Sequence, residues 1–293
     1  MNEQARLHEQ ARLHEQARLN ERVPLDEQAA PNEWEPLRIE HRPNGVAVLT
    51  FDNPDKRNPM TGRLTAQWRR AMRSLRQDPD LRAVVITGTG PAFCSGADLG
   101  ELADRHGQSL PGTRAQLSDF YRTWLTVRDL SVPTVAAVNG HAVGAGLALA
   151  LACDLRYAAA EAKLGAPFVR LGLHPGMATT ALLAEAVGPS RARELLLTGR
   201  LISGARAATI GMVHEALPAD QVLRAALDVA DEIAAAAPLA VRLTKSGLAQ
   251  GQPTVERALT WEGLAQPVTT TTDDFREGVQ ARRERRRPHF TGA

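Results

Sequence analysis

From Glu33 onward, short apolar runs bounded by turn residues alternate with stretches of helical spacing. Val46-Ala47-Val48-Leu49-Thr50-Phe51 closes on Asp52-Asn53-Pro54, the pattern of a strand entering a turn. Leu64, Trp68, Ala71, Met72 and Leu75 recur at helical spacing with arginines on the other face, which predicts an amphipathic helix. Residues 83–87 and 134–138 are short, continuous apolar runs rich in valine, the signature of strands covered on both faces, and residues 154–158 read as another. Strands separated by helices predict an α/β architecture with crossover connections. After Gly188 the pattern turns nearly all helical, over 191–197, 220–236, 239–248 and 254–264, with Pro238 and Pro253 placed where helices begin. The expected organisation is an α/β core over 33–235 and a helical C-terminal region over 236–293.

The first thirty-two residues differ in texture. Glu3-Gln4-Ala5-Arg6-Leu7-His8 recurs at 9–14 and, with Asn20 in the last place, at 15–20. Leu7, Leu13, Leu19 and Leu25 fall six residues apart, a period that spreads them around a helix and builds no apolar stripe. The segment 1–32 reads as a low-complexity tail, disordered or transiently helical, with a partner-docking arm as the functional alternative.

Composition narrows the classes of function. A net charge of +2 gives no reason to expect nucleic acid, and the basic run Arg282-Arg283-Glu284-Arg285-Arg286-Arg287 lacks the interleaved aromatics of a strand-binding surface. The apolar stretches are too short to span a bilayer, so no membrane association is expected. Cys94 and Cys153 match no metal spacing. A cytoplasmic protein without metal or redox cofactor is the expectation.

Two segments carry candidate chemistry. In Val84-Val85-Ile86-Thr87-Gly88-Thr89-Gly90-Pro91-Ala92-Phe93-Cys94-Ser95-Gly96-Ala97-Asp98, a buried strand runs out into a glycine-containing loop and a small-residue turn. In Thr134-Val135-Ala136-Ala137-Val138-Asn139-Gly140-His141-Ala142-Val143-Gly144-Ala145-Gly146-Leu147, a strand ends in a turn and small residues open an apolar helix. Small residues let a ligand approach the backbone, and a helix N-terminus presents unpaired N–H groups. Two such donors converging on one oxygen form an oxyanion hole.

In this order and separation, the two segments resemble the paired signature of the crotonase (enoyl-CoA hydratase/isomerase) superfamily. Leu49 to Pro54 with Arg57-Asn58-Pro59-Met60, Cys153 to Ala159, Leu171-Gly172-Leu173-His174-Pro175-Gly176, and Asp273 to Gly278 with Arg287-Pro288-His289-Phe290 are similar to further stretches of that family, so the resemblance covers 34–292. It implies a spiral of ββα units with a helical C-terminal region, and a homotrimer or dimer of trimers. It implies an acyl-CoA thioester as ligand, so that coenzyme A enters as part of the substrate, and a lyase or isomerase of fatty acid metabolism. The implied oxyanion donors are the N–H groups of Ala97 and Ala145. Lys56 and Arg57 are placed where the family meets the nucleotide part of CoA.

The sequence also departs from the family. The positions of the two carboxylates that serve hydratases are Ala148 and Phe168, and a further acid position, used by some dienoyl isomerases and dehalogenases, is Gly176. Positioned acid–base groups are worth ~10²–10⁴-fold, so ordinary hydration loses its usual machinery. His174, in the Leu-Gly-Leu-His-Pro-Gly loop, is a candidate base, although capping or surface exposure is the plainer role. His141 reads as a packing or backbone-bonding residue, Arg170 as an exposed ion pair or a carboxylate contact, Glu101 and Asp104 equally as groups reaching the thioester pocket from a mobile loop or as first-turn helix acids, and Asp98 as a backbone-bonding turn residue. Two functions remain open: an enzyme acting on a CoA thioester through another acid–base group, or a non-catalytic acyl-CoA binder.

Overall fold

The computed structural model describes residues 35–104, 107, 109–249 and 254–293; the reading of residues 1–32 as a tail falls outside them. Residues 35–293 form one compact unit.

Strand β1 (Leu37–His41) pairs antiparallel with β2 (Val46–Phe51), after which a short crossing strand β3 (Pro59–Met60) leads into helix α1 (Gly62–Gln77). Thr61 caps α1 by accepting the Leu64 N–H on its hydroxyl, and the predicted stripe Leu64, Trp68, Ala71, Met72 and Leu75 is buried. The next unit is β4 (Ala83–Gly88), β5 (Ala92–Cys94) and β6 (Gly96–Ala97), followed by the short α2 (Leu99–Ala103) and the long α3 (Leu110–Leu125). A third is β7 (Thr134–Val138), β8 (His141–Val143) and α4 (Ala145–Ala152). A fourth runs β9 (Leu155–Ala159), β10 (Lys163–Gly165), α5 (Thr179–Val187) and α6 (Pro189–Thr198). Then come β11 (Ile202–Ser203), α7 (Gly204–Thr209), β12 (Glu215–Leu217), α8 (Ala219–Ala234), α9 (Pro238–Leu248), α10 (Val255–Thr270) and α11 (Asp273–Glu284).

Successive units feed two separate sheets. The six-stranded sheet has the order β1-β2-β4-β7-β9-β12, parallel from β2 onward, and the four-stranded sheet has the order β11-β10-β8-β5. The units that open on β4, β7 and β9 each lay one strand in the large sheet, one in the small sheet, and then a helix, which is the expected ββα spiral, while β3 pairs with β6 in a separate two-stranded sheet. β7 is buried at every position and β4 at all but its last, matching their continuous apolar sequence. Trp68 stacks on Trp124 at 4.8 Å between ring centroids, and Phe51 meets Trp124 edge-on at 6.0 Å, which ties α1 and α3 to the large sheet. Such ring pairs contribute ~0.5–1.5 kcal/mol beyond burial. The prediction of nearly continuous helix after Gly188 missed the short strands β11 and β12, whose two- and three-residue spans are too brief to show a period.

Candidate active site

The site begins as a problem of backbone spacing. Gly96 has φ +94, and a Cβ built on it would lie 2.7 Å from the carbonyl oxygen of Val143 and 3.2 Å from the nitrogen of Ala145. A Cβ on Gly146 would overlap the Cys94 carbonyl oxygen, and one on Gly140 would overlap that of Pro91. The two sequence segments are therefore pressed together main chain to main chain, with glycine required at each crossing.

Gly144 turns the chain between β8 and α4 with φ 58 and ψ −120, and its N–H donates to the Gly165 carbonyl. Ala145 is the first residue of α4, and the helix ladder starts only where the Ala148 N–H reaches the Gly144 carbonyl. The Ala145 N–H consequently has no intrahelical partner and stands at the positive end of the helix.

Two asparagines brace these turns. Asn58 is wholly buried; its amide donates to the carbonyls of Thr89 at 3.0 Å and Ala92 at 2.7 Å, and its oxygen accepts the Asn53 N–H. Arg57 and Asn58 both hold positive φ, at 64 and 54, and the Arg57 carbonyl accepts the Ser95 N–H at 3.0 Å. Asn139 accepts the Gly88 N–H at 3.0 Å and donates to the Gly90 carbonyl at 3.1 Å, so the ends of β4 and β7 are tied together.

A cleft of about 320 Å³ opens on these turns. Ala97 and Ala145 line it, along with the apolar side chains of Met60, Leu102, Phe120, Phe168 and Met177. Asp98, Glu101, Tyr121 and His174 supply its titratable groups among the described residues. Asp98 caps α2, its carboxylate accepting the N–H groups of Gly100 at 2.9 Å and Glu101 at 3.1 Å. Glu101 accepts the Gly62 N–H at 2.9 Å and so closes the start of α1. His174 lies on an exposed loop at the rim. Phe168 packs its ring over Gly144, 3.7 Å from where a Cβ there would stand.

The remaining sequence candidates lie elsewhere. Ala148 is fully buried inside α4, behind Ala145, and outside the lining of the cleft. Lys56 and Arg57 are exposed on the turn before Asn58, also outside it. Arg170 donates to the Thr198 carbonyl, and His141 accepts the Lys163 N–H on Nδ1, a structural bond. Cys94 is fully buried, and burial pushes its thiol up to about 12. Sequence reading assigned no role to Tyr121 or Phe120, because α3 buries only Thr123 and Trp124 and shows little apolar period. Among the described residues, no group of three side chains could hold a metal ion, and no helix is long and apolar enough to cross a membrane.

Residues 41–293 match the family model described as enoyl-CoA hydratase/isomerase. The chain is 35% identical over 260 residues to the 2,3-dehydroadipyl-CoA hydratase of Escherichia coli K12, covering 87% of this chain and 98% of that protein. It is 34% identical over 255 residues to the (E)-benzylidenesuccinyl-CoA hydratase of Thauera aromatica, covering 85% and 97%. The crystal structure of enoyl-CoA hydratase from Bacillus anthracis superposes with a TM-score of 0.83 at 33% identity, covering 88% of this chain and all of that one. With its ββα spiral and its two interlocked turns, the chain belongs to the enoyl-CoA hydratase/isomerase family of the crotonase superfamily.

Proposed function

We propose that the chain takes an acyl-CoA thioester into the cleft and holds its carbonyl oxygen between the N–H groups of Ala97 and Ala145. The observation that carries this reading is the contact of the two turns, where a Cβ on Gly96 would come within 3.2 Å of the Ala145 nitrogen. Both alanines line one cleft. As the α-carbon becomes enolate-like, the thioester oxygen gains charge, and fixed donors then act most strongly. Losing one such donor costs about 3–4 kcal/mol of transition-state stabilisation.

The apolar lining of Met60, Leu102, Phe120 and Met177 suits an acyl chain. Lys56 and Arg57, exposed at the neighbouring turn, are proposed to meet the phosphates of the CoA nucleotide. Coenzyme A is thus part of the substrate, and no separate cofactor enters. The exposed apolar side chains of α10, Leu259, Leu264 and Val268, support assembly as a homo-oligomer, a trimer or a dimer of trimers. With Ala148 and Phe168 at the usual acid–base positions, the proposed chemistry is isomerisation, decarboxylation, hydrolysis or slow hydration through another group. Those same two residues favour a second reading, a non-catalytic acyl-CoA binder.

The deciding experiment incubates the purified protein in heavy water with saturated, 2-enoyl, 3-enoyl and malonyl-type CoA thioesters, followed by mass spectrometry. Deuterium uptake or a mass change on one thioester is the expected result and identifies the reaction class. Binding with no change on any of them moves the binder to first place, and absence of binding removes both readings.

A further inference from the structure

We propose that the cleft ends where Tyr121 meets Gly176, and that this contact restricts its thioester to a short acyl chain, of about six carbons or fewer. The inference rests on the thioester reading above and deepens it by naming the class of substrate.

The cleft deepens in one direction. On the wall, Leu173 and His174 are exposed, Pro175 is half-buried, and Gly176 and Met177 are buried. On the facing helix α3, Leu117, Phe120 and Tyr121 are half-buried, and Trp124, one turn beyond Tyr121, is fully buried. Exposure therefore falls from the His174 rim toward the place where Tyr121 crosses to Gly176. A Cβ on Gly176 would come 2.7 Å from the Tyr121 Cζ and 3.0 Å from its Cε1, and would overlap the phenol oxygen. The ring tip rests directly on bare backbone, so an alkyl chain cannot pass between them.

Both sides of this stop are held in place. Met177 and Ala178 each have φ 54, and the Gly176 carbonyl accepts the Thr179 N–H at 3.1 Å and the Thr179 hydroxyl at 2.5 Å. Thr179 is wholly buried. Left-handed methionine and alanine persist only where their surroundings fix them, so the wall at Gly176 resists displacement. Across the cleft, Phe120 stands edge-on to Tyr121 at 6.1 Å, and Trp124 anchors the same helix by stacking on Trp68.

Volume sets the length. The cleft encloses about 320 Å³. A methylene is close in size to a water molecule, whose share of liquid volume is about 30 Å³, so the cleft has room for on the order of ten such groups. The thioester and the adjoining end of the CoA arm take about four of these places, which leaves about six for the acyl chain. The apolar side chains of Met60, Leu102, Leu117 and Met177 line the space that chain would fill.

The test measures the affinity of butanoyl-, hexanoyl-, octanoyl-, decanoyl- and dodecanoyl-CoA by calorimetry for the wild type, Tyr121→Ala and Tyr121→Leu. Each methylene taken out of water strengthens binding about fourfold. In the wild type, affinity is expected to rise from butanoyl to hexanoyl and then to level off or fall. Tyr121→Ala removes the stop, and the rise is expected to continue to octanoyl-CoA, which then binds about tenfold or more tighter than to the wild type. Tyr121→Leu keeps an apolar side chain on α3 in case alanine unfolds the helix, and it is expected to move the break in the same direction. A wild-type affinity that climbs steadily to dodecanoyl-CoA overturns the proposal whatever the variants do. A break at hexanoyl-CoA that stays in place in the folded variants overturns the assignment to Tyr121. Both results leave the thioester reading intact, whereas absence of binding at every chain length removes that reading itself.

Discussion

The two interlocked turns and the wall formed by residues 168–177 border the same cleft and are built on opposite plans. In the turns, Gly96, Gly140 and Gly146 are packed so that no side chain could be added, and Asn58 and Asn139 fasten the loops through five hydrogen bonds at 2.7–3.1 Å. On the wall, Val169, Leu171 and Leu173 are exposed, and Gly172 has open space around it. The difference separates two tasks. Holding a carbonyl oxygen needs main-chain donors fixed in place, and dense packing supplies that. Choosing what happens next to the carbon skeleton needs side chains, and the wall can exchange those at small structural cost.

The same charge placed in each region gives the sharpest contrast. Ala148→Glu puts a carboxylate on a wholly buried position of α4 with no counter-charge and is expected to destabilise the fold by about 3–5 kcal/mol. Phe168→Glu, on the half-buried wall, is expected to lose only about 1–2 kcal/mol, the cost of some ring burial. Urea denaturation of both variants measures the gap; equal losses would erase the distinction. The single Phe168→Glu variant is then the informative graft for enoyl-CoA hydration, and a gain there would mean that the scaffold is competent without position 148.

Glycine replacements sharpen the comparison next. Gly96→Ala meets the Val143 carbonyl oxygen at 2.7 Å and forces alanine to φ +94. It should cost about 2–4 kcal/mol and weaken thioester binding, read by calorimetry. Gly172→Ala also sits at positive φ, +71, with nothing within 4 Å. It should cost only ~1 kcal/mol from backbone strain. A Gly172→Ala effect as large as that of Gly96→Ala would show that backbone conformation, and not the crowding of the turns, governs both sites.

Legibility followed the same division. β4 and β7 were readable because burial on both faces makes an unbroken apolar run, and α1 because one apolar stripe faces the sheet. The turn segments stood out because close backbone contact demands small residues at fixed spacing. Tyr121 gave no such signal. Its helix is exposed or half-buried everywhere but at Thr123 and Trp124, so it shows no clear apolar stripe, and its contact with Gly176 exists only in space, across an entire ββα unit. Ala148 shows the converse: a position named by resemblance is enclosed by the core, and sequence alone could not reveal which way it faces.

The glycine crossings have a consequence for descent. Because the part of the site proposed to hold the carbonyl is written in main chain, replacing wall residues leaves it standing. On that proposal, a lineage can pass from one reaction on a CoA thioester to another by single substitutions at the wall, each intermediate still gripping the same functional group. Extinction of the site requires a different event, the loss of a glycine such as Gly96 or Gly146 from the place where the two strands of backbone touch.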